Sequence, residues 1–317
     1  MSNKAIYQQR TLLGQAIGIR PELKALIILM VGVVIWGGNW PVMKAGLAHI
    51  TPFWFSMMRF ALGGATLFAF QWVTKTLYRP KKQDIPLILS IGLIQMMTFT
   101  VFGSVAMTQV EAGRSAILAY TTSLWVLPLS VILFRERLSK PQIQGVLFGL
   151  VGVVIMFNPM TFAWQDKSQL LANGLLLVAA LCWSLCILHL RHSRSKASAY
   201  QLAPWQMLTA TVPLIFISYW IEGPFTGDGS MSFWMICLYL GPLATAFCFC
   251  AVNGASRLLS GAFISTAMLG VPVTGLVFST LFLNEPLTST LVIGTLCICA
   301  GIFMVIKAAS QTKSSAS

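Results

Sequence analysis

Ten apolar runs follow one another along the chain: 25–44, 53–74, 85–107, 110–134, 141–158, 172–191, 203–222, 231–253, 259–283 and 286–307. A bilayer core of about 30 Å takes about 20 residues of helix. The gaps between runs carry charge, proline or turn clusters that stop a helix. The pattern predicts an all-α membrane protein with ten transmembrane helices. One run breaks the monotony: the first ends in "WGGNWPVMK", residues 36–44. Glycine and proline free backbone carbonyls, which a membrane helix tolerates only beside protein or a wet cavity. That stretch predicts a loosened helix with polar groups turned to a cavity.

The second half of the chain repeats the first. Leu127, Ser130, Glu136, Leu138, Gly145 and Gly152 recur 149 residues later as Leu276, Ser279, Glu285, Leu287, Gly294 and Gly301. Each glutamate opens a short connection that leads to a helix N-cap, Ser139 or Thr288, and Ser139 has Gln142 for a capping box. The front halves match more thinly, through Trp36 with Trp183 and Pro52 with Pro204. Five helices per half is an odd number, so the halves must cross the membrane in opposite senses. This predicts two inverted five-helix repeats, 24–158 and 172–307, between tails 1–23 and 308–317. Inverted repeats are a transporter architecture, with the substrate site near the midplane where the halves meet.

Composition agrees, with 56% hydrophobic and only 9% charged residues. The net charge of +13 raises nucleic acid as a partner, but its placement argues for topology instead. With a cytoplasmic amino terminus, 17 of the 21 basic residues fall in internal segments, and external ones keep Lys44, Arg114 and Lys167. This positive-inside bias predicts a multi-pass protein of the lipid bilayer with both termini cytoplasmic and no nucleic-acid partner. The first run ends in "WPVMKAG" rather than a cleavage site, so it is read as a retained helix. All seven cysteines fall within spans, at spacings that suit packing rather than metal. No Asp or Glu lies deep in a span, His49 is external, and His189 and His192 sit at an inner helix end. No catalytic residue, metal site or cofactor is expected.

"WGGNWPVMK" followed by "PFWFSMMRF" resembles the W-G-x-N-x-x-x-x-K and downstream Arg of EamA-type members of the drug/metabolite transporter superfamily. The stretches "LFRERLSKPQIQG" and "LFLNEPLTSTLVIG" resemble that family's E-x-L-[ST]…G signature. The resemblance covers 25 to about 307. It implies ten helices, two EamA domains and export of small metabolites across the plasma membrane, here a bacterial inner membrane. It carries over Trp36, Asn39, Lys44 and Arg59, with Glu136 and Glu285 as repeat markers. One departure is "YTTSLW", which puts Ser123 where the family often has proline, whereas the second half keeps Pro272. The first break is therefore expected to be the softer.

Depth along each span, at about 1.5 Å per residue, singles out Trp36, Asn39, Gln95, Tyr120, Thr121, Thr122 and Trp183 as candidates to bind substrate. Ser123, Gly270 and Pro272 are candidate hinges. Arg59 reads either as a side chain snorkelling to the outer surface or, with Lys44, as a counter-charge for a carboxylate. Asn39 is interhelical glue or a ligand contact. Trp40 and Trp54 are assigned to the outer aromatic belt. Glu136 is assigned to helix-end and inter-loop contacts. Gly145, Gly149 and Gly152 are assigned to close packing, between the halves or in a homodimer. The function expected is export of amino acids or similar zwitterions by alternating access, without obligatory proton antiport because no deep acid is available. The alternatives are a broad drug or purine exporter and a non-transporting sensor or scaffold.

Overall fold

The computed structural model describes residues 21–136, 138–157, 166–255, 258–259 and 261–314. Ten helical segments follow in chain order: α1 (Pro21–Gly46), α2 (Pro52–Val73), α3 (Lys82–Ala106), α4 (Ala112–Phe134), α5 (Lys140–Phe157), α6 (Lys167–His192), α7 (Ala199–Glu222), α8 (231–255), α9 (261–283) and α10 (Ser289–Ser314). Among the described residues nine are long and apolar enough to cross a membrane, and α5 is a shorter apolar helix. Large apolar side chains such as Ile132, Phe216, Trp220 and Phe282 stand exposed on the outside. Lipid accepts such a surface, because a helix satisfies its backbone groups within itself. The chain is a multi-pass membrane protein.

The backbone repeats where the sequence does. α3 and α8 both widen into π-helical turns, at Ser90–Thr98 and Tyr239–Phe247, 149 residues apart. Gly92 and Gly241 begin these turns at equivalent places. A methyl on Gly92 would meet Gln206 O at 2.7 Å, and one on Gly241 would meet Leu62 Cβ at 2.7 Å. Each bare backbone lets its helix cross a neighbour, α7 or α2. α4 breaks at Tyr120–Thr121 and α9 at Leu269. Both end on a left-handed residue, Arg135 (φ 55°) or Asn284 (φ 54°).

The two breaks have different causes. In α9, Pro272 sits in the first turn after Leu269, where its missing N–H costs least. In α4, the Thr121 and Thr122 hydroxyls donate to Leu118 O (2.6 Å) and Ala119 O (2.8 Å). Such back-bonds compete with the helix ladder and bend it. Two residues leave the helix in α4 and one in α9, so α4 is broken with Ser123 in place of proline.

Two pairs of repeat-related helices pack antiparallel. A methyl on Gly145 would meet Gly301 O at 2.8 Å, and one on Gly152 would meet Gly294 O at 2.7 Å. α5 therefore rises as α10 falls, backbone against backbone. The small residues of α5 serve this contact within one chain. α2 and α7 also run antiparallel, since Trp54 Nε1 donates to Gly223 O (3.2 Å) and Gln71 Nε2 to Tyr200 O (2.7 Å). Trp54 is buried and packs edge-on against Phe225, so it is not part of an aromatic belt. Glu222 reaches across from α7 to cap α2, accepting from Phe53 N (3.0 Å) and Trp54 N (3.1 Å). The Gln142 side chain accepts from Ser139 N (2.8 Å), and Leu291 N donates to Thr288 Oγ1 (3.3 Å), so both expected cap positions are used.

Candidate functional site

"WGGN" earns its composition at the contact of α1 with α8 and α9. Trp36 Nε1 donates to Ala244 O (2.6 Å), a carbonyl of the π-helical turn, and Tyr239 OH donates back to Ile35 O (2.7 Å). A π turn shifts the hydrogen-bond register and leaves such carbonyls for side chains. Side chains at Gly37 and Gly38 would collide with Thr274 and with Tyr239. The glycines thus bring α9 and α8 onto α1, and Trp36 and Asn39 are held on the remaining face.

That face looks into a cavity of about 1320 Å³. Trp36 and Asn39 of α1, Arg59 of α2, Gln95 of α3, Tyr120, Thr122 and Ser123 of α4 and Trp183 of α6 all line it. Trp40 lines it too, so it belongs to the interior and not to an outer belt. An aromatic wall links the halves: Trp40 meets Phe99 edge-on (6.5 Å), and Phe99 meets Trp183 (4.6 Å). The cavity runs from the level of Met43 and Gly103 to the far end of the molecule, where Glu136, Ser139, Gln142 and Arg191 form its mouth.

The opposite end is sealed. Glu285 Oε1 and Oε2 accept from Ala112 N (2.6 Å) and Gly113 N (2.9 Å), capping the start of α4. An anion suits a helix N-terminus because the first N–H groups have no partner in the helix. Lys44 Nζ donates to Met107 O and Val110 O, tying α1 to the end of α3. Lys44 therefore belongs to the seal and does not line the cavity with Arg59. Beyond the membrane end, His49 Nδ1 and Asp228 Oδ2 lie 2.6 Å apart. That contact holds the Asp228 carboxyl down to about 2.

Arg59 does not snorkel. It sits seven residues into α2, about 10 Å along its axis. Its Nε donates to Thr245 Oγ1 (2.9 Å) and its Nη1 points at Met43 Sδ (3.2 Å). Among the described residues the guanidinium meets no carboxylate. Among the described residues Asn39 bonds only within its own helix, from Nδ2 to Met43 Sδ (3.1 Å), and so does not act as interhelical glue there. Thr121 lies behind the wall, its hydroxyl donating to Leu118 O while accepting from Trp125 Nε1 (3.2 Å). Gly270 and Pro272 follow Leu269, which does line the cavity, but are not themselves part of its lining. Glu136 pairs with Arg191 (3.4 Å) at the mouth, so one carboxylate does face the cavity. Met43, Phe99 and Thr245 were missed in the sequence, although Met43 stands one helical turn from Asn39.

The family is decided by both halves at once. The sequence pattern of the EamA-like transporter family matches residues 23–158 and again 170–307. The chain belongs to the EamA-like transporter family. The chain is 25% identical to an uncharacterized transporter, YoaV, of Bacillus subtilis (strain 168), over 88% of this chain and 97% of that one. It is 26% identical to a protein named as a probable amino-acid metabolite efflux pump of Salmonella typhimurium, over 86% and 91% respectively. A crystal structure of a protein 19% identical shares the fold, with a TM-score of 0.64 over 89% of this chain and 98% of that one. As an EamA family member the chain is a membrane transporter.

Proposed function

We propose that this EamA transporter exports small metabolites, amino acids or similar zwitterions, by alternating access. The carrying observation is the asymmetry of the cavity. It reaches one end past Glu136, while the repeat-related residue at the other end, Glu285, clamps the start of α4. Two inverted halves that rock about a fixed midplane site take this form when caught open to one side. The antiparallel pairs α2–α7 and α5–α10 support inverted repeats 24–158 and 172–307, with α5 as a tenth crossing. The basic loops support a bacterial inner membrane with both termini cytoplasmic, which makes the open side the cytoplasmic one. The relative named as an amino-acid metabolite efflux pump supports the substrate class.

The size of the cavity favours a second reading. About 1320 Å³ exceeds typical small-ligand pockets of about 300–1,000 Å³, as a broad exporter of drugs or purines would need. Counterflow in proteoliposomes separates these readings. Labelled amino acids should accumulate against unlabelled internal amino acid, with nucleobases and dyes as competitors. Uptake of dyes and nucleobases but not amino acids favours the second reading. Absence of counterflow for every compound removes the transporter reading and leaves a sensor or scaffold.

A further inference from the structure

Two donors in the cavity wall converge on a poor acceptor. Asn39 Nδ2 lies 3.1 Å and Arg59 Nη1 3.2 Å from the same sulfur, Met43 Sδ. A thioether accepts hydrogen bonds weakly, and a guanidinium away from bulk water favours a charged, bidentate acceptor. Among the described residues its hydrogen-bond partners are that sulfur and the Thr245 hydroxyl, and the Phe60 ring lies 6.0 Å from it. The Asn39 amide is supplied still less well. The residue is 6% exposed, and among the described residues its buried Oδ1 has no hydrogen-bond partner. Buried amide oxygens are nearly always satisfied, and exceptions call for a reason.

We infer that Arg59 and Asn39 form the seat for a carboxylate that carries an N–H or O–H donor on its neighbouring carbon, as 2-amino and 2-hydroxy acids do. This rests on the exporter reading and names the head group that the cavity accepts. Met43 is unbranched and flexible, so its sulfur can yield the position to a carboxylate oxygen. That oxygen accepts from Arg59 Nη1 and Asn39 Nδ2 together. The adjacent donor supplies the partner that Asn39 Oδ1 lacks. Trp36, Phe99 and Trp183 line the same cavity and can take an apolar body.

The donor need not be charged. Besides Arg59, the charged residues lining the cavity are Arg191 and Glu136, and these pair with each other at the mouth. An ammonium at the seat therefore finds no carboxylate, whereas a 2-hydroxy acid anion neutralises Arg59 and leaves no charge over. The 2-hydroxy acid should bind at least as tightly as the amino acid of the same body.

Calorimetry on the full chain in lipid nanodiscs tests this with four matched probes: 3-phenyllactate, phenylalanine, 3-phenylpropionate and phenylalaninamide. 3-Phenyllactate should equal or exceed phenylalanine. 3-Phenylpropionate, without the donor, should bind about 5- to 10-fold more weakly than 3-phenyllactate. Phenylalaninamide, without the carboxylate, should bind at least 10-fold more weakly than phenylalanine, the order of a lost charge-assisted pair. Asn39→Leu should bring the first of these two ratios to about 1 and lower the second only in part, and Arg59→Gln should bring the second to about 1 and leave the first. The wild-type ranking needs no variant, so a variant that fails to fold does not rescue the idea. Equal binding of phenylalanine and its amide overturns it, as does no binding of any probe at about 10 mM. The same probes in counterflow separate it from the exporter reading. Ranked binding without transport keeps the seat and removes the exporter, while transport without ranking does the opposite.

Discussion

Replacing Glu285 with glutamine should open the sealed end of the cavity. Both carboxylate oxygens cap α4, on Ala112 N at 2.6 Å and Gly113 N at 2.9 Å. Glutamine keeps one carbonyl acceptor but loses the second bond and the negative charge at the helix N-terminus. A hydrogen bond to a charged group contributes about 1.5–3 kcal/mol and an anion at a helix start about 0.3–1. The half-buried position of Glu285 argues for the lower part of that sum, about 2 kcal/mol. Only the difference between states shifts the equilibrium. If the clamp exists solely in the state described here, the population open at the Glu285 end rises about 30-fold. Gly103 offers the reporter site, because it lines the cavity and a Cβ there meets nothing within 4 Å. With Gly103→Cys in a cysteine-free background, an impermeant maleimide applied from the Glu285 side should react about 30-fold faster when Glu285→Gln is added. Glu136→Gln, at the already open end, should not raise that rate. A rate unchanged within about 2-fold, in protein that purifies as a folded monodisperse species, refutes the clamp.

Three further outcomes follow from contacts on the same scaffold. Gly152→Val places a side chain where Gly294 O already lies 2.7 Å from a methyl, so thermal unfolding in detergent should show a loss of about 1–3 kcal/mol; an unchanged midpoint contradicts the antiparallel α5–α10 packing. Trp36→Phe removes the 2.6 Å bond to Ala244 O and should cost about 1 kcal/mol in the same assay, and a cost no greater than that of Trp183→Phe would mean the bond holds nothing. Asp228, held down to about 2 by its hydrogen bond with His49, contributes stability that is full above its unfolded value of about 3.9 and is lost as pH falls through the folded one. Pepsin should therefore cut the 223–230 loop faster at pH 2 than at pH 4, relative to Asp228→Asn at each pH; parallel rates in the two proteins across that range count against the contact.

The helix boundaries and the duplication were legible because both are written in one dimension. Apolar length marks a helix, and the glutamate and glycine pairs 149 residues apart mark equivalent turns. The structure extends that register to features the sequence does not spell out, such as the π-helical turns, for which Gly92 and Gly241 are the only shared residues. What a linear reading misses is rotation about the helix axis. Lys44 and Arg59 are both cations near the same end, yet one turns to backbone carbonyls of the turn after α3 and the other into the cavity. Trp40 and Trp54 sit at the depth of an aromatic belt, but their helices turn them inward. Glu136 lies in a connection, where depth alone keeps it out of any site, and only the opening of the mouth brings it to the cavity. Depth is a property of position along the chain, and facing is a property of what packs alongside. The seat for a carboxylate was legible only in part for that reason: Asn39, Met43 and Arg59 lie within 21 residues of one another, but the sulfur that Asn39 and Arg59 share is fixed by the way α1 and α2 both pack against α8.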